Sequence, residues 1–189
     1  MKNIVLDTIE KHRKLLAKFE GNCVENLVTA AEMINNCLKQ GGAIYICGNG
    51  GSAADAQHIA GELVGRFMRE RKALPVVALT TDTSVMTAIA NDYSFDDIFT
   101  RQVEALVGSD DLLWAFSTSG KSLNVTKAAQ LAKEKGAKVL AFTGKLSTQL
   151  EDISDLCISV DAENSYSAQE IHQIAYHIIC DLVERNVCQ

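Results

Sequence analysis

AIYICGNGGSAADAQHIAGE, residues Ala43 to Glu62, runs an apolar segment through a glycine turn into a helix. Ala43 to Cys47 is apolar on both faces, the pattern of a strand buried in a parallel sheet. Gly48, Gly50 and Gly51 then permit backbone angles, and a close approach by a ligand, that a β-carbon would block. Ser52 is placed to cap the helix, with Asp55 three residues on in the capping-box position. A glycine turn opening a helix aims free N–H groups outward at the positive end of the helix dipole, which suits phosphate. Further along, His58 and Glu62 stand at i and i+4 and face the same way.

Working outward toward the N-terminus, Ile4, Leu6, Ile9, Leu15, Leu16 and Phe19 give residues 3–19 one apolar helical face. Gly21-Asn22 reads as a break. A second amphipathic helix is expected from Cys23 to Gln40, carrying Val24, Leu27, Val28, Ala31, Ile34 and Leu38 and closed by Gly41-Gly42. Residues 1–40 therefore predict an N-terminal helical hairpin ahead of an α/β core over 43–189. Such a hairpin either covers one sheet face or packs between subunits.

Toward the C-terminus, further strands are expected at Val76–Leu79, Asp111–Phe116, Lys138–Phe142 and Leu156–Val160. Helices are expected near 84–90, 95–107, 123–135, 148–153 and 165–187, with Asn91-Asp92-Tyr93 breaking the chain between the first two. Strands alternating with helices predict a three-layer αβα sandwich around a five-stranded parallel sheet, with 1–189 as one domain. In such sheets ligands bind beyond the carboxyl ends of the strands. Four of those ends are rich in Gly, Ser and Thr.

A formal net charge of −6 and 22% charged residues, with only scattered Lys and Arg near 66–72, argue against nucleic acid as a direct ligand. Cysteines at 23, 37, 47, 157, 180 and 188 show no paired metal spacing and read as small hydrophobes. No apolar run is long enough to span a bilayer, so no membrane partner and a reduced, cytoplasmic setting are expected.

Gly48-Asn49-Gly50-Gly51-Ser52-Ala53 formally fits a dinucleotide fingerprint, but the acid that should follow about 20 residues on is missing. Ser117-Thr118-Ser119-Gly120-Lys121-Ser122 places four hydroxyls and a glycine at a strand end. One such turn is an ordinary polar cap. Two at neighbouring strand ends point to a phosphorylated small molecule, whose dianion needs many donors. His58 and Glu62 read either as a solvated i,i+4 pair or as two ligands of one metal ion. On the last helix, spacing pairs Glu170 with His177 or Gln169 with His172, and does not choose between them. Nitrogen and oxygen donors of this kind fit zinc and other divalent metals.

Taken together, CGNGGSAADAQHIAGEL, LTTDTSVMTAIANDY, FSTSGKSLNV and AQEIHQIAYHIICDLVE resemble the sedoheptulose 7-phosphate (phosphoheptose) isomerases of the sugar isomerase (SIS) superfamily, which has a flavodoxin-like sheet. The resemblance covers nearly the whole chain. It implies a homotetramer with sites between subunits. It also implies that Asn49, Gly50, Gly51, Ser52, Asn91 and Asp92 contact a sugar phosphate and that Ser117, Thr118, Ser119 and Ser122 hold its phosphate. His58, Glu62, Gln169 and His177 are implied as zinc ligands, with Glu62 and His177 as the acid–base pair of an aldose–ketose isomerisation and Gln169 also touching substrate. Relatives commonly carry an arginine where this chain has Ser167, and some an aspartate in place of Tyr166, so Asn164 to Ala168 departs from the family pattern. The competing expectations are a non-catalytic SIS protein, binding a sugar phosphate or a replication initiator, and a nicotinamide-dependent oxidoreductase.

Overall fold

The computed structural model describes residues 1–188. Its centre is a five-stranded, all-parallel sheet in the order β2-β1-β3-β4-β5, built from β1 (Ile44–Cys47), β2 (Val76–Ala78), β3 (Leu112–Ser117), β4 (Lys138–Thr143) and β5 (Leu156–Ser159). β3 is buried along its whole length, as expected for a central parallel strand covered on both faces. Alternate residues of the strands feed two cores. Ile46, Trp114, Phe116 and Phe142 face α1 (Lys2–Lys39), α2 (Gly51–Val64) and α7 (Ser165–Val187). Leu113, Ala115, Val139 and Ala141 face α4 (Thr100–Leu106), α5 (Leu123–Glu134) and α6 (Gln149–Ile153). The expected three-layer α/β sandwich is therefore present.

The N-terminal hairpin is not. Residues 2–39 form one continuous 38-residue helix, with Gly21 in its interior. Glycine costs about 1 kcal/mol at such a position, but the apolar stripe crosses it in phase. Leu15, Phe19, Cys23, Leu27, Ala31 and Ile34 all pack on the first core. A hairpin would take half of that stripe off the sheet.

Other boundaries move locally. α3 runs from Thr83 to Asp92, capped by the Asp82 carboxylate on the Val85 N–H (2.9 Å), so Asn91 and Asp92 lie in its last turn rather than in a break. The expected helix over 95–107 divides into a 3-10 turn, Phe95–Asp97, and α4. Ser52 does not cap α2. The chain turns at Gly50 with φ of 55°, so the helix begins at Gly51 and Ser52 is buried inside the first turn. The capping box belongs to α6, where Thr148 and Glu151 exchange both bonds.

Candidate active site

Three strands deliver polar loops to one end of the sheet. After β1, Asn49 and Asn124 of α5 exchange two amide hydrogen bonds of 2.9 Å each, tying the glycine turn to the helix that follows the serine loop. After β3, Ser117 Oγ donates to Ser122 Oγ (2.9 Å) and lies 3.5 Å from Ser119 Oγ. Ser122 stands at the N-cap of α5 without capping it through its side chain. Gly120 makes the turn with φ of +65°. After β4, Gly144 donates to the Thr118 carbonyl (3.0 Å), and a side chain there would meet that oxygen. The result is a hydroxyl-lined cradle beside an uncapped helix N-terminus, the arrangement that receives a phosphate.

The start of α7 closes this cradle, with Thr118 Oγ1 donating to Ser165 Oγ (3.3 Å). One turn on, the Gln169 amide packs against Gly51, where a β-carbon would come within 2.5 Å of it. A larger residue at position 51 would push the Gln169 amide aside. Of the substrate contacts the resemblance implies, Asn49, Gly50, Gly51 and Gln169 thus surround one turn, next to Ser117, Thr118, Ser119 and Ser122. Asn91 and Asp92 hydrogen-bond each other (2.8 Å) at the exposed end of α3.

Further along the paired helices α2 and α7, His58, Glu62 and His177 converge, each offering a ligand atom within 4.8 Å of the others. His58 Nε2 lies 3.0 Å from Glu62 Oε1 and 3.4 Å from His177 Nε2. Two imidazole nitrogens and a carboxylate oxygen make a donor set that fits zinc and leaves a coordination position open. Burial holds the His177 pKa below the ordinary histidine value; the His58 charge pushes the same way and Glu62 opposes both.

His172, the alternative partner from spacing, is excluded from this cluster. It is fully buried between Phe116 and Phe142, with Nε2 3.1 Å from the Thr143 carbonyl, and burial lowers its pKa to about 4. Glu170 also points elsewhere, pairing with His12 of α1.

Several residues around the cluster escape sequence reasoning. The Tyr176 hydroxyl lies 3.0 Å from His58 Nδ1. Phe67 stacks on His177, with ring centroids 5.6 Å apart. The segment carrying Phe67 is held by the buried Glu184 carboxylate, which accepts from the backbone N–H groups of Phe67, Met68 and Arg69 and pairs with the buried Arg71. Burial alone would raise the Glu184 pKa; these donors hold it below the usual value. Tyr176 lies beside a candidate ligand in sequence, but nothing in the helical pattern aims its hydroxyl at α2.

Known proteins resemble this chain over nearly its whole length. A profile of the SIS domain family matches residues 9–144. The chain is 47% identical over 168 residues to the phosphoheptose isomerase of Rhodospirillum rubrum, covering 89% of each chain. It is 42% identical over 187 residues to that of Aliarcobacter butzleri, covering 99% of each. The structure of phosphoheptose isomerase from Neisseria gonorrhoeae superposes with a TM-score of 0.91 at 40% identity, covering 97% of this chain and 98% of that one. The chain belongs to the SIS domain family and, within it, to the phosphoheptose isomerases.

Proposed function

We propose that residues 1–189 act as a single SIS domain that converts sedoheptulose 7-phosphate to D-glycero-D-manno-heptose 7-phosphate through an enediol. The observation that carries the reading is a phosphate cradle at the loop end of the sheet together with a His58–Glu62–His177 centre on α2 and α7. The reaction moves one proton between adjacent carbons, so it needs a base that can return what it takes. Glu62 takes the proton from C1 of the open-chain ketose and delivers it to C2. His177 carries the oxygen proton from O1 to O2 and assists ring opening; a lowered pKa keeps its imidazole neutral and able to accept. Ser117, Thr118, Ser119 and Ser122 hold the phosphate, while Asn49, Gly50, Gly51, Ser52, Asn91, Asp92 and Gln169 position the sugar. A zinc ion held by His58, Glu62, His177 and Gln169 supplies polarisation of the carbonyl and stabilisation of developing negative charge.

The site draws on two copies of the chain in a homotetramer. Gln169 and His177 are separated by about 12 Å of rise along α7, and Ser165, beside the cradle, is about 18 Å from His177. An extended heptose phosphate reaches roughly 10 Å from phosphorus to C1 at ordinary bond lengths. The cradle and Gln169 of one copy therefore serve the three-residue centre of another. The apolar face at the start of α1, with Ile4, Leu6 and Ile9 more than half exposed, supports such packing. No helix among the described residues is long and apolar enough to cross a membrane. We place the enzyme in the cytoplasm, feeding nucleotide-activated heptose for lipopolysaccharide or capsule.

Incubating the purified protein with sedoheptulose 7-phosphate, with and without chelator, and following aldose formation tests the reading. Binding without turnover under metal-replete conditions identifies a non-catalytic SIS protein instead.

A further inference from the structure

His58 presents its two ring nitrogens to two different environments. Nε2 faces Glu62 and His177, while Nδ1 faces the Tyr176 hydroxyl at 3.0 Å. The phenol packs edge-on against the imidazole, with centroids 5.5 Å apart at 71°. Behind it, the Asp55 carboxylate of α2 lies beside the same hydroxyl, and its buried Oδ2 has no hydrogen-bond partner while that hydroxyl faces His58. Asp55, Tyr176 and His58 thus form a chain that crosses from α2 to α7 and back.

We propose that Tyr176, backed by Asp55, is a positioning residue that sets which nitrogen of His58 offers its lone pair to a divalent cation; this rests on the metal centre proposed above. With Nε2 donating to Glu62, Nδ1 is the lone-pair nitrogen and accepts from the Tyr176 hydroxyl. For Nε2 to present its lone pair to a cation, the proton must sit on Nδ1, which then donates to the Tyr176 oxygen. A hydroxyl can switch from donor to acceptor toward His58 only if its own hydrogen has somewhere else to go. Asp55 is that acceptor. The Tyr176 hydroxyl therefore turns between two acceptors: it donates to His58 Nδ1 in one tautomer, and in the other it accepts from Nδ1 and donates to Asp55. Leucine or phenylalanine at position 176 would fill the same space without this function.

The test uses zinc alone, titrated into chelator-stripped protein against a chromophoric competitor. Tyr176→Phe keeps the ring and removes the hydroxyl; zinc affinity is expected to fall about 10- to 100-fold, the usual cost of losing a histidine's outer partner. Asp55→Asn keeps an acceptor oxygen without the charge and is expected to lose less. In a His58→Ala background, Tyr176→Phe is expected to have no further effect. Unchanged affinity in Tyr176→Phe, or an equal loss with and without His58, overturns the proposal, the second because it marks a general loosening of the helix pair. Failure of the unaltered protein to bind zinc removes the metal centre itself, a result separate from either of these.

Discussion

Asn49 and Asn124, 75 positions apart in sequence, satisfy each other through two 2.9 Å amide hydrogen bonds that lock the turn after β1 to the first turn of α5. Asn124 is buried and Asn49 half-buried, so the pair is largely shielded from water. Asn124→Ala is expected to cost about 1–3 kcal/mol of stability and to raise KM for the sugar phosphate more than it lowers kcat, because Asn49 loses its fixed orientation. Denaturant titration and steady-state kinetics check this; a wild-type KM would show that the glycine turn is held some other way.

Glu62→Gln keeps the size of the side chain and removes its basicity. Isomerisation is expected to fall by at least about 10²- to 10⁴-fold, the range for loss of a general base, while sedoheptulose 7-phosphate still binds. Isothermal titration beside a turnover assay separates the two. Near-normal turnover would rule Glu62 out as the proton shuttle.

The mixing of two inactive variants reports whether the site spans two subunits. Glu62→Gln damages the three-residue centre and Gln169→Ala the glycine-turn side. After unfolding and refolding together, random pairing leaves about a quarter of shared sites intact, so activity reappears. If every site lies within one chain, no mixture recovers activity, since each chain carries its own lesion.

His172 makes acid stability a second readout. Burial lowers its pKa from the ordinary 6.5 to about 4 in the fold. The unfolded chain therefore takes up a proton first, and this residue's contribution to stability is lost as pH falls from about 6.5 to about 4. Asp55, raised to about 6 by burial, works the other way over an overlapping range. His172→Gln keeps an N–H for the Thr143 carbonyl but does not titrate. The stability difference between variant and wild type is expected to shift in favour of the variant between pH 6.5 and 4; a constant difference would contradict the assignment.

Local pattern carried the sheet and both loops, because buried parallel strands and their glycine and serine turns are written in contiguous residues. It failed where the deciding contact is distant. Gly21 looks like a stop until Phe19 and Cys23 are seen packing on the same core, so tertiary burial overrides the local signal. Ser52 looks like a cap until the positive φ of Gly50 starts the helix a residue early. At the site, i,i+4 spacing brought His58 to Glu62, but the choice of His177 over His172 depends on how α7 rotates against α2. Spacing along one helix does not contain that rotation.

Glu184 shows what supports the centre from outside it. Its carboxylate, fully buried, receives three backbone N–H groups of the 67–69 segment and the Arg71 guanidinium, whose Nη2 also donates to the Glu62 carbonyl (2.9 Å). Removing one partner of a buried pair leaves the other charge uncompensated. Glu184→Ala is therefore expected to cost about 3–5 kcal/mol, seen as a lower denaturation midpoint. Glu184→Gln, which preserves shape and one acceptor oxygen, is expected to cost less. Because Phe67 rides on this segment and stacks on His177, Glu184→Gln is also expected to lower kcat while leaving the phosphate cradle, and so inorganic phosphate binding, untouched. A stability change within about 0.5 kcal/mol for Glu184→Ala, the range of an ordinary surface substitution, would mean that the segment is held by Arg71 alone. Unaltered kcat in a destabilised Glu184→Gln would separate the fold-holding role of this carboxylate from the chemistry at His177.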